Sequence, residues 1–270
     1  MSYETIQTAV EGGVMEIRLS RPETLNALNR KMKQEILAAF REAARLREAR
    51  VVLLSAEGRG FCSGADLKSG EEDDARSFGE SLRTLYNPMV QAIMALPKPV
   101  VAAVQGVAAG AGMSLALACD MRLCGESAQF ICAFSRIGLV PDSGLSYFLP
   151  RLVGLGRAME LAMLAEPVPA TDAVRLGLAN RLFPDADLPN AARDFCRRLA
   201  DGPAYALGLT KQALQRGSEL TVGETLEYEA GLQELAGRSG EYREGVMAFR
   251  EKRKTNYRVT SADASGGGGF

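Results

Sequence analysis

The 270-residue sequence contains no histidine and no tryptophan. The lack of histidine excludes Ser-His-Asp and Cys-His catalysis and removes the most common side-chain ligand of metal ions. Acid–base chemistry in this chain must therefore come from carboxylates, tyrosine, cysteine or lysine. The cysteines have no metal-like spacing, and we expect no metal site.

Cysteine and long apolar runs are also scarce. The five cysteines are odd in number and include no C-x-x-C pair, which predicts reduced core thiols in a cytoplasmic protein. No apolar stretch is long enough to cross a membrane, and no secretory signal is visible. The net charge is −1, so we expect neither nucleic acid nor an anionic membrane as a partner.

The chain is organised around the stretch from Pro97 to Asp120. Its first part, Val100 to Val104, consists of small and β-branched residues and predicts a strand buried on both faces. Three glycines follow between positions 106 and 112, and the apolar run Met113 to Ala118 predicts a helix. Unpaired N–H groups at a helix start suit a phosphate or a thioester oxygen that becomes an enolate. A tight packing turn is the alternative interpretation.

A second glycine turn, Gly60 to Asp66, follows another predicted strand, Val51 to Ser55. If both strands lie in one sheet, both turns lie at the same edge of that sheet. Two backbone N–H groups can then converge on one oxygen atom, as an oxyanion hole requires. The pair of turns therefore predicts such a site more strongly than either turn alone.

Periodicity gives a coarse outline of the remaining chain. A hairpin is predicted around Gly12, and helices are predicted at Arg30 to Arg47, at Phe78 to Leu96 and at Leu145 to Val153, the last one interrupted by Pro150. Beyond position 154 the chain changes to helices separated by glycine and proline. The first part therefore repeats strand–strand–helix units, and the second part is helical.

Four segments, in this order, resemble the crotonase (enoyl-CoA hydratase/isomerase) superfamily. They are GRGFCSGADLK, PKPVVAAVQGVAAGAGMSLALACDMRL, IGLVPDSGLSYFLPRLVG and EYREGVMAFREKRKTNY. The resemblance covers nearly the whole chain, from about Ile6 to Tyr257. Several motifs in one order make chance similarity a poor explanation.

The resemblance implies an α/β fold, a crotonase-like spiral of β-β-α units with a C-terminal helical region. We expect the spiral in residues 1–200, a helical trimerisation region in residues 201–258 and a disordered Ser/Gly-rich tail in residues 259–270. The family forms homotrimers or hexamers that are dimers of trimers. Its substrates are acyl-CoA thioesters, so coenzyme A would enter as part of the substrate and not as a permanently bound cofactor.

The resemblance also implies positions for the site. The oxyanion-hole N–H groups would belong to Ala65 and Ala111. The residues expected to contact the acyl-CoA are Ser63, Ala65, Asp66, Leu67, Lys68, Ala111, Phe134, Phe249 and Lys252. Of these, Phe249 and Lys252 lie where the family often contacts the nucleotide end of CoA, sometimes from a neighbouring subunit. The pocket floor is expected to involve the helix from Ser77 to Leu96.

Two departures from the family pattern bear on the reaction. Hydratases of this family add water to a 2-enoyl-CoA with two glutamates. The first position is Ser114 in this chain, and the second is Ala133-Phe134. Because both carboxylates are missing, two-carboxylate hydration is disfavoured.

A carboxylate does occur at Asp142, in Pro141-Asp142-Ser143-Gly144. This position resembles the one that ring-epoxyphenylacetyl-CoA isomerases use and the nucleophile position of 4-chlorobenzoyl-CoA dehalogenases. The dehalogenase interpretation is weak, because the tryptophan and histidine partners are absent. The alternative role of Asp142 is an N-cap of the predicted helix at Leu145. With the family placement we favour catalysis, in which Asp142 moves a proton and thereby shifts a double bond.

Other interpretations stay open at the level of sequence. One is an enoyl-CoA hydratase with unusual catalytic groups, and another is a non-catalytic RNA-binding or scaffold member, against which the near-neutral charge argues. Cys62 lies beside the first glycine turn, but no base is evident near it, which predicts an inert thiol.

Overall fold

The computed structural model describes residues 3–68 and 77–260, and for residues 259 and 260 it describes the backbone only. Nine strands form in this part of the chain: β1 (Ile6–Glu11), β2 (Val14–Leu19), β3 (Val51–Ala56), β4 (Val100–Val104), β5 (Val107–Ala109), β6 (Met121–Gly125), β7 (Gln129–Ile131), β8 (Val168–Pro169) and β9 (Arg181–Phe183). They build a six-stranded sheet in the order β1-β2-β3-β4-β6-β9 and a three-stranded sheet in the order β5-β7-β8.

The same residues form twelve α-helices: α1 (Arg30–Arg45), α2 (Phe78–Ser81), α3 (Asn87–Ala95), α4 (Ala111–Ala118), α5 (Leu145–Val153), α6 (Leu155–Leu164), α7 (Ala170–Leu176), α8 (Leu188–Ala200), α9 (Ala204–Gly217), α10 (Val222–Gly237), α11 (Gly240–Glu251) and α12 (Tyr257–Thr260). A π-helical turn, Leu82–Tyr86, joins α2 to α3.

The large sheet is parallel except for the antiparallel hairpin of β1 and β2. All five residues of β4 are buried, which is typical of a strand covered on both faces. On one face Val51, Leu53 and Val101 pack in a cluster with Leu188 and Ala192 of α8. The other face contributes to the main core together with α1, α3 and α4. The predicted strand and hairpin are confirmed.

The small sheet brings the two glycine turns together. After β3 the chain extends to Cys62, which forms an isolated parallel bridge with Ala108 of β5. The N–H of Cys62 donates to the carbonyl of Val107 at 2.9 Å, and the N–H of Ala109 donates to the carbonyl of Cys62 at 2.9 Å. Because β3 and β4 are parallel neighbours, both turns leave the same edge of the large sheet, as the sequence predicted.

Two buried contacts attach the C-terminal helices to the remainder of the chain. Lys211 of α9 is 8% exposed and its Nζ lies 3.0 Å from Oδ2 of Asp120, just after α4. Glu241 of α11 lies 3.7 Å from the guanidinium of Arg50, which also donates to the carbonyl of Ala200. Helices α9 and α11 therefore contact the spiral of the same chain.

The structure differs from three local expectations. Helix α5 runs through Pro150 without the predicted interruption; a proline lacks only one helical N–H donor, and Ser146, whose carbonyl loses that donor, is exposed. The helix predicted from Phe78 contains the π turn. Of the predicted tail, residues 259 and 260 belong to α12, and residues 261–270 lie outside the described part of the chain.

Within residues 3–68 and 77–260, none of the helices combines the length and the apolar character needed to cross a bilayer.

Candidate active site

The two glycine turns approach each other backbone to backbone. A Cβ atom placed on Gly64 would lie 2.9 Å from the carbonyl oxygen of Ala109 and 3.7 Å from the backbone N of Ala111. Any side chain at position 64 would therefore separate the first turn from the start of α4. Because glycine has no side chain, the first turn, which continues to Ala65, lies next to the backbone of Ala111.

The backbone hydrogen bonds around Ala65 leave its N–H unused. Leu28 donates to the carbonyl of Gly64 at 2.8 Å and accepts from the N–H of Asp66 at 3.3 Å, so Ala65 forms the central residue of a parallel bridge with Leu28. In such a bridge the N–H of the central residue points to the other side of the strand. No acceptor for this N–H exists in the described part of the chain.

The N–H of Ala111 is unused for a different reason. Ala111 is the first residue of α4, where N–H groups have no partner within the helix. Gly110 precedes it with φ +51° and ψ −124°, a conformation that glycine adopts without strain. The N–H of Ala111 has no acceptor among the described residues, and the helix dipole adds positive potential there. Two donors suited to one oxyanion are therefore close together.

Both alanines border a cavity of about 330 Å³ that Asp142 also lines. The cavity wall is mainly apolar; its lining includes Leu67, Phe78, Leu82, Tyr86, Phe134, Ile137, Leu139 and Val140. The wall from Phe78 to Tyr86 belongs to the helical segment that was expected at the pocket floor. Phe134, at the second position where hydratases carry a glutamate, is 6% exposed and gives an apolar surface.

Asp142 lies in the irregular segment between the short 3₁₀ helix Ala133–Ile137 and α5. Its carboxylate Oδ1 accepts a hydrogen bond from the Oγ of Ser143 at 2.8 Å. Gly144, not Asp142, occupies the N-cap of α5, and glycine has no side chain that could cap the helix. The capping role is therefore wrong: the main-chain carbonyl of Asp142, rather than its carboxylate, accepts from the N–H of Leu145 at 2.9 Å.

Ser114 is fully buried on α4, at the first position where hydratases carry a glutamate. Its Oγ lies 3.0 Å from the carbonyl oxygen of Asp142 and 3.3 Å from that of Gly110. The two positions singled out in the sequence, Ser114 and Asp142, are thus in direct contact. Nothing in the sequence indicated this bond, because 28 residues separate its ends.

The residues predicted to follow the CoA chain have different surroundings. Ser63 and Leu67 line the cavity. Lys68, the residue after Leu67, is exposed. Asp66 is 7% exposed and its Oδ2 lies 2.8 Å from Nη2 of Arg21. Asp66 therefore also fixes the first turn to the segment that precedes α1.

Two predicted CoA contacts lie away from this cavity within the chain. Phe249 is 85% exposed on α11, and Lys252 is the left-handed C-cap of the same helix, with φ +52°. Neither residue lines the cavity that contains Asp142. The structure does not bring them to Ala65 and Ala111, and their role stays a prediction.

Cys62 has the environment of an inert thiol. It is fully buried, and this burial raises the pKa of the thiol to about 12. A thiolate is the reactive form of cysteine, and at neutral pH it is essentially absent here. An acidic run at residues 71–74, whose composition predicts a solvated loop face, lies outside the described residues.

Comparison with known proteins gives a consistent picture. The family "Enoyl-CoA hydratase/isomerase" matches residues 9–260. A Rhodobacter capsulatus protein named "Probable enoyl-CoA hydratase" is 44% identical over 257 residues, which cover 95% of this chain and 99% of that protein. The 1,2-epoxyphenylacetyl-CoA isomerase of Escherichia coli K12 is 42% identical over 257 residues, 94% of this chain and 98% of that protein.

A solved structure supports the same assignment. The enoyl-CoA hydratase from Polaromonas sp. JS666 superposes with a TM-score of 0.88 at 32% identity, covering 94% of this chain and 99% of that chain. The spiral predicted from the sequence is therefore confirmed at the level of fold. On the family match, the two relatives and this superposition, the chain belongs to the enoyl-CoA hydratase/isomerase family and has the crotonase fold.

Proposed function

We propose that this protein is an acyl-CoA-processing enzyme that shifts a double bond in an enoyl-CoA or a ring-derived acyl-CoA, with Asp142 as the acid and base. One observation carries the proposal: Asp142 shares a mainly apolar cavity with Ala65 and Ala111. A carboxylate can exchange a proton with carbon there while two N–H groups stabilise the negative oxygen that results.

In the proposed reaction the thioester oxygen accepts hydrogen bonds from the N–H groups of Ala65 and Ala111. The carboxylate of Asp142 removes a proton from the carbon beside the double bond. The electron pair of that C–H bond enters the conjugated system and charge accumulates on the thioester oxygen, which gives a dienolate. The protonated Asp142 then returns the proton to a different carbon. The double bond has moved, and no atom has been gained or lost.

Hydration of a 2-enoyl-CoA is the second candidate, because the relatives that resemble this chain carry both names. Hydration needs a group that activates water. Ser114 has its hydroxyl directed at the carbonyl of Asp142, and Phe134 offers only an apolar ring. Asp142 would then have to activate water in a mainly apolar cavity. This argues for isomerisation over hydration.

The substrate's CoA moiety is proposed to run along residues 63–68, where the exposed Lys68 meets its phosphates. Phe249 and Lys252 are proposed to contact the nucleotide end, from this chain or from a neighbouring one. We propose a homotrimer or a hexamer in which the C-terminal helices contact a neighbouring copy through exposed apolar side chains such as Leu226 on α10 and Phe249 on α11. We propose a cytoplasmic location.

Incubation with a 3-enoyl-CoA and a 2-enoyl-CoA tests the reaction. Isomerisation yields a product of unchanged mass from the 3-enoyl-CoA, whereas hydration adds one water to the 2-enoyl-CoA. The proposal expects the first activity to exceed the second. Faster water addition would favour the hydratase, and turnover of neither substrate together with measurable RNA affinity would favour the non-catalytic scaffold. A panel of acyl-CoA thioesters varied in chain length and ring content then defines the acyl group.

A further inference from the structure

We infer that Ser114 is a positioning residue that fixes Asp142 relative to the N–H of Ala111. The inference rests on the proposed function, in which Asp142 moves the proton. It assigns a task to a position where the family's hydratases carry a catalytic glutamate. The serine contributes through the peptide of Asp142 and does not touch the substrate.

The hydrogen bonds of Ser114 identify its partner. A hydroxyl has one proton to donate, and two carbonyl oxygens lie within reach. The carbonyl of Gly110, four residues earlier, is at 3.3 Å, the ordinary back-bonding contact of a serine in a helix. The carbonyl of Asp142 is at 3.0 Å. The shorter contact joins two elements that are separate in the chain, and the side chain that makes it is completely buried.

The segment around Asp142 has an unfavourable backbone conformation. Ser143 has φ +52° and Gly144 has φ +84°, so two consecutive residues are left-handed directly after Asp142. A left-handed conformation is unfavourable for a residue with a side chain. The bond from Leu145 to the carbonyl of Asp142 and the bond from Ser143 to its carboxylate are both local. Ser114 ties this strained segment to a different element of the fold.

Ser114 belongs to α4, the helix whose first residue, Ala111, carries one of the proposed oxyanion donors. Ala111 is the first residue of α4 and Ser114 lies three positions further along it, so both move with one rigid helix turn. This hydrogen bond therefore links the peptide of the base to the helix that carries one of the two donors. Proton transfer to carbon depends on such geometry, and a misplacement of about 1 Å can lower a rate by about a hundredfold.

Two variants test the role. Ser114→Ala removes the hydroxyl, and Ser114→Cys keeps similar volume with only a weak S–H donor. We expect kcat for isomerisation to fall about ten- to hundredfold in Ser114→Ala and by a smaller factor in Ser114→Cys. KM, the affinity for a saturated acyl-CoA measured by calorimetry, and the melting temperature should stay close to wild type. A substrate deuterated at the carbon that loses its proton should show a larger isotope effect in both variants.

The outcomes separate this inference from the proposed function. If the wild-type enzyme isomerises but Ser114→Ala retains its kcat, Ser114 does not position Asp142, and the proposed function stands. Equal kcat in Ser114→Cys and wild type would assign the effect to packing and overturn the inference. A parallel loss of affinity, melting temperature and kcat would show a structural role only. Absence of isomerisation in the wild type would overturn the proposed function, and this inference with it.

Discussion

Gly112 lies directly against the carbonyl group of Cys62: a methyl group on Gly112 would overlap that oxygen, and it would also lie 2.8 Å from Cβ of Cys62. The second residue of α4 and the segment after β3 are thus packed without an intervening side chain. Both proposed oxyanion donors depend on this packing, because Ala65 lies three residues after Cys62 and Ala111 directly precedes Gly112.

Gly112→Ala is expected to separate the two turns. The overlap is with backbone, which cannot turn aside as a side chain can, so α4 or the first turn must shift. Overpacking of this kind costs about 1–3 kcal/mol of unfolding free energy, and the displaced donors should lower kcat more than KM changes. Chemical denaturation and steady-state kinetics measure both effects.

Gly156→Ala is the matched control for this change. Gly156 lies in α6, where an added Cβ meets no atom within 4 Å. Alanine is favoured over glycine in a helix by up to about 1 kcal/mol, so stability should be unchanged or higher and activity retained. Wild-type kcat in Gly112→Ala would contradict the oxyanion assignment.

Because Asp120 and Lys211 are in contact, we expect substitutions of the two residues to have coupled effects on the free energy of unfolding. Burial, the largest influence, raises the pKa of Asp120 and outweighs the attraction of Lys211. Either single change, Asp120→Asn or Lys211→Met, removes the ionic partner of one largely buried charged group, and breaking such a pair costs up to about 3–5 kcal/mol. The double variant should recover much of this loss. Urea unfolding of the four proteins gives the coupling energy.

An additive result, with no recovery in the double variant, would contradict this account of how α9 is held. It would mean that the bond from Nζ of Lys211 to the carbonyl of Ile93, at 2.9 Å, carries the attachment instead.

The contacts of Glu244 predict that the segment after α11 becomes less stable at acid pH. Its carboxylate accepts from Nη1 of Arg253 at 2.7 Å, from Nη2 at 2.9 Å and from the N–H of Asn256 at 2.7 Å. The Arg253 hydrogen bonds, and next the Asn256 N–H, lower the pKa of Glu244 from 4.5 to about 2. A folded-state pKa below the unfolded one means that the stabilisation is complete above pH 4.5 and is lost as the pH falls towards about 2.

Hydrogen exchange of residues 252–260, corrected for intrinsic rates, measures this transition. Protection should fall as the pH is lowered through that window. Glu244→Gln should show the reduced protection already at neutral pH and little further change. Equal protection in wild type and Glu244→Gln at neutral pH would contradict the role of the carboxylate.

The sequence predicted the parts of the fold that depend on local pattern. The strand Val100–Val104 and the glycine turns followed from composition and spacing, and the family motifs pointed to Ala65, Ala111 and Asp142. The three-stranded sheet was not predicted as a unit, because β5 and β8 have three and two residues and too few positions for a periodic pattern. The π turn likewise has no distinct sequence signal.

The side-chain contacts that hold the site in place could not be predicted from the sequence, for a related reason. The bond of Ser114 to Asp142 spans 28 residues, and the ion pair of Asp66 with Arg21 spans 45 positions of the chain. Side-chain partners at such separations are determined by tertiary packing and not by local propensity. The capping role considered for Asp142 followed a sound local rule, but the two left-handed residues after it place Gly144 at the helix start instead.

Asp142→Asn tests the central claim most directly. It preserves the shape of the side chain and removes its capacity to take up a proton, and general base catalysis contributes about 10²–10⁴-fold to a rate. Turnover of a 3-enoyl-CoA is compared with the affinity for a saturated acyl-CoA, measured on the same preparation by calorimetry. We predict that kcat falls by about a thousandfold while the affinity stays within about twofold of wild type. Near-wild-type turnover in Asp142→Asn would contradict the account.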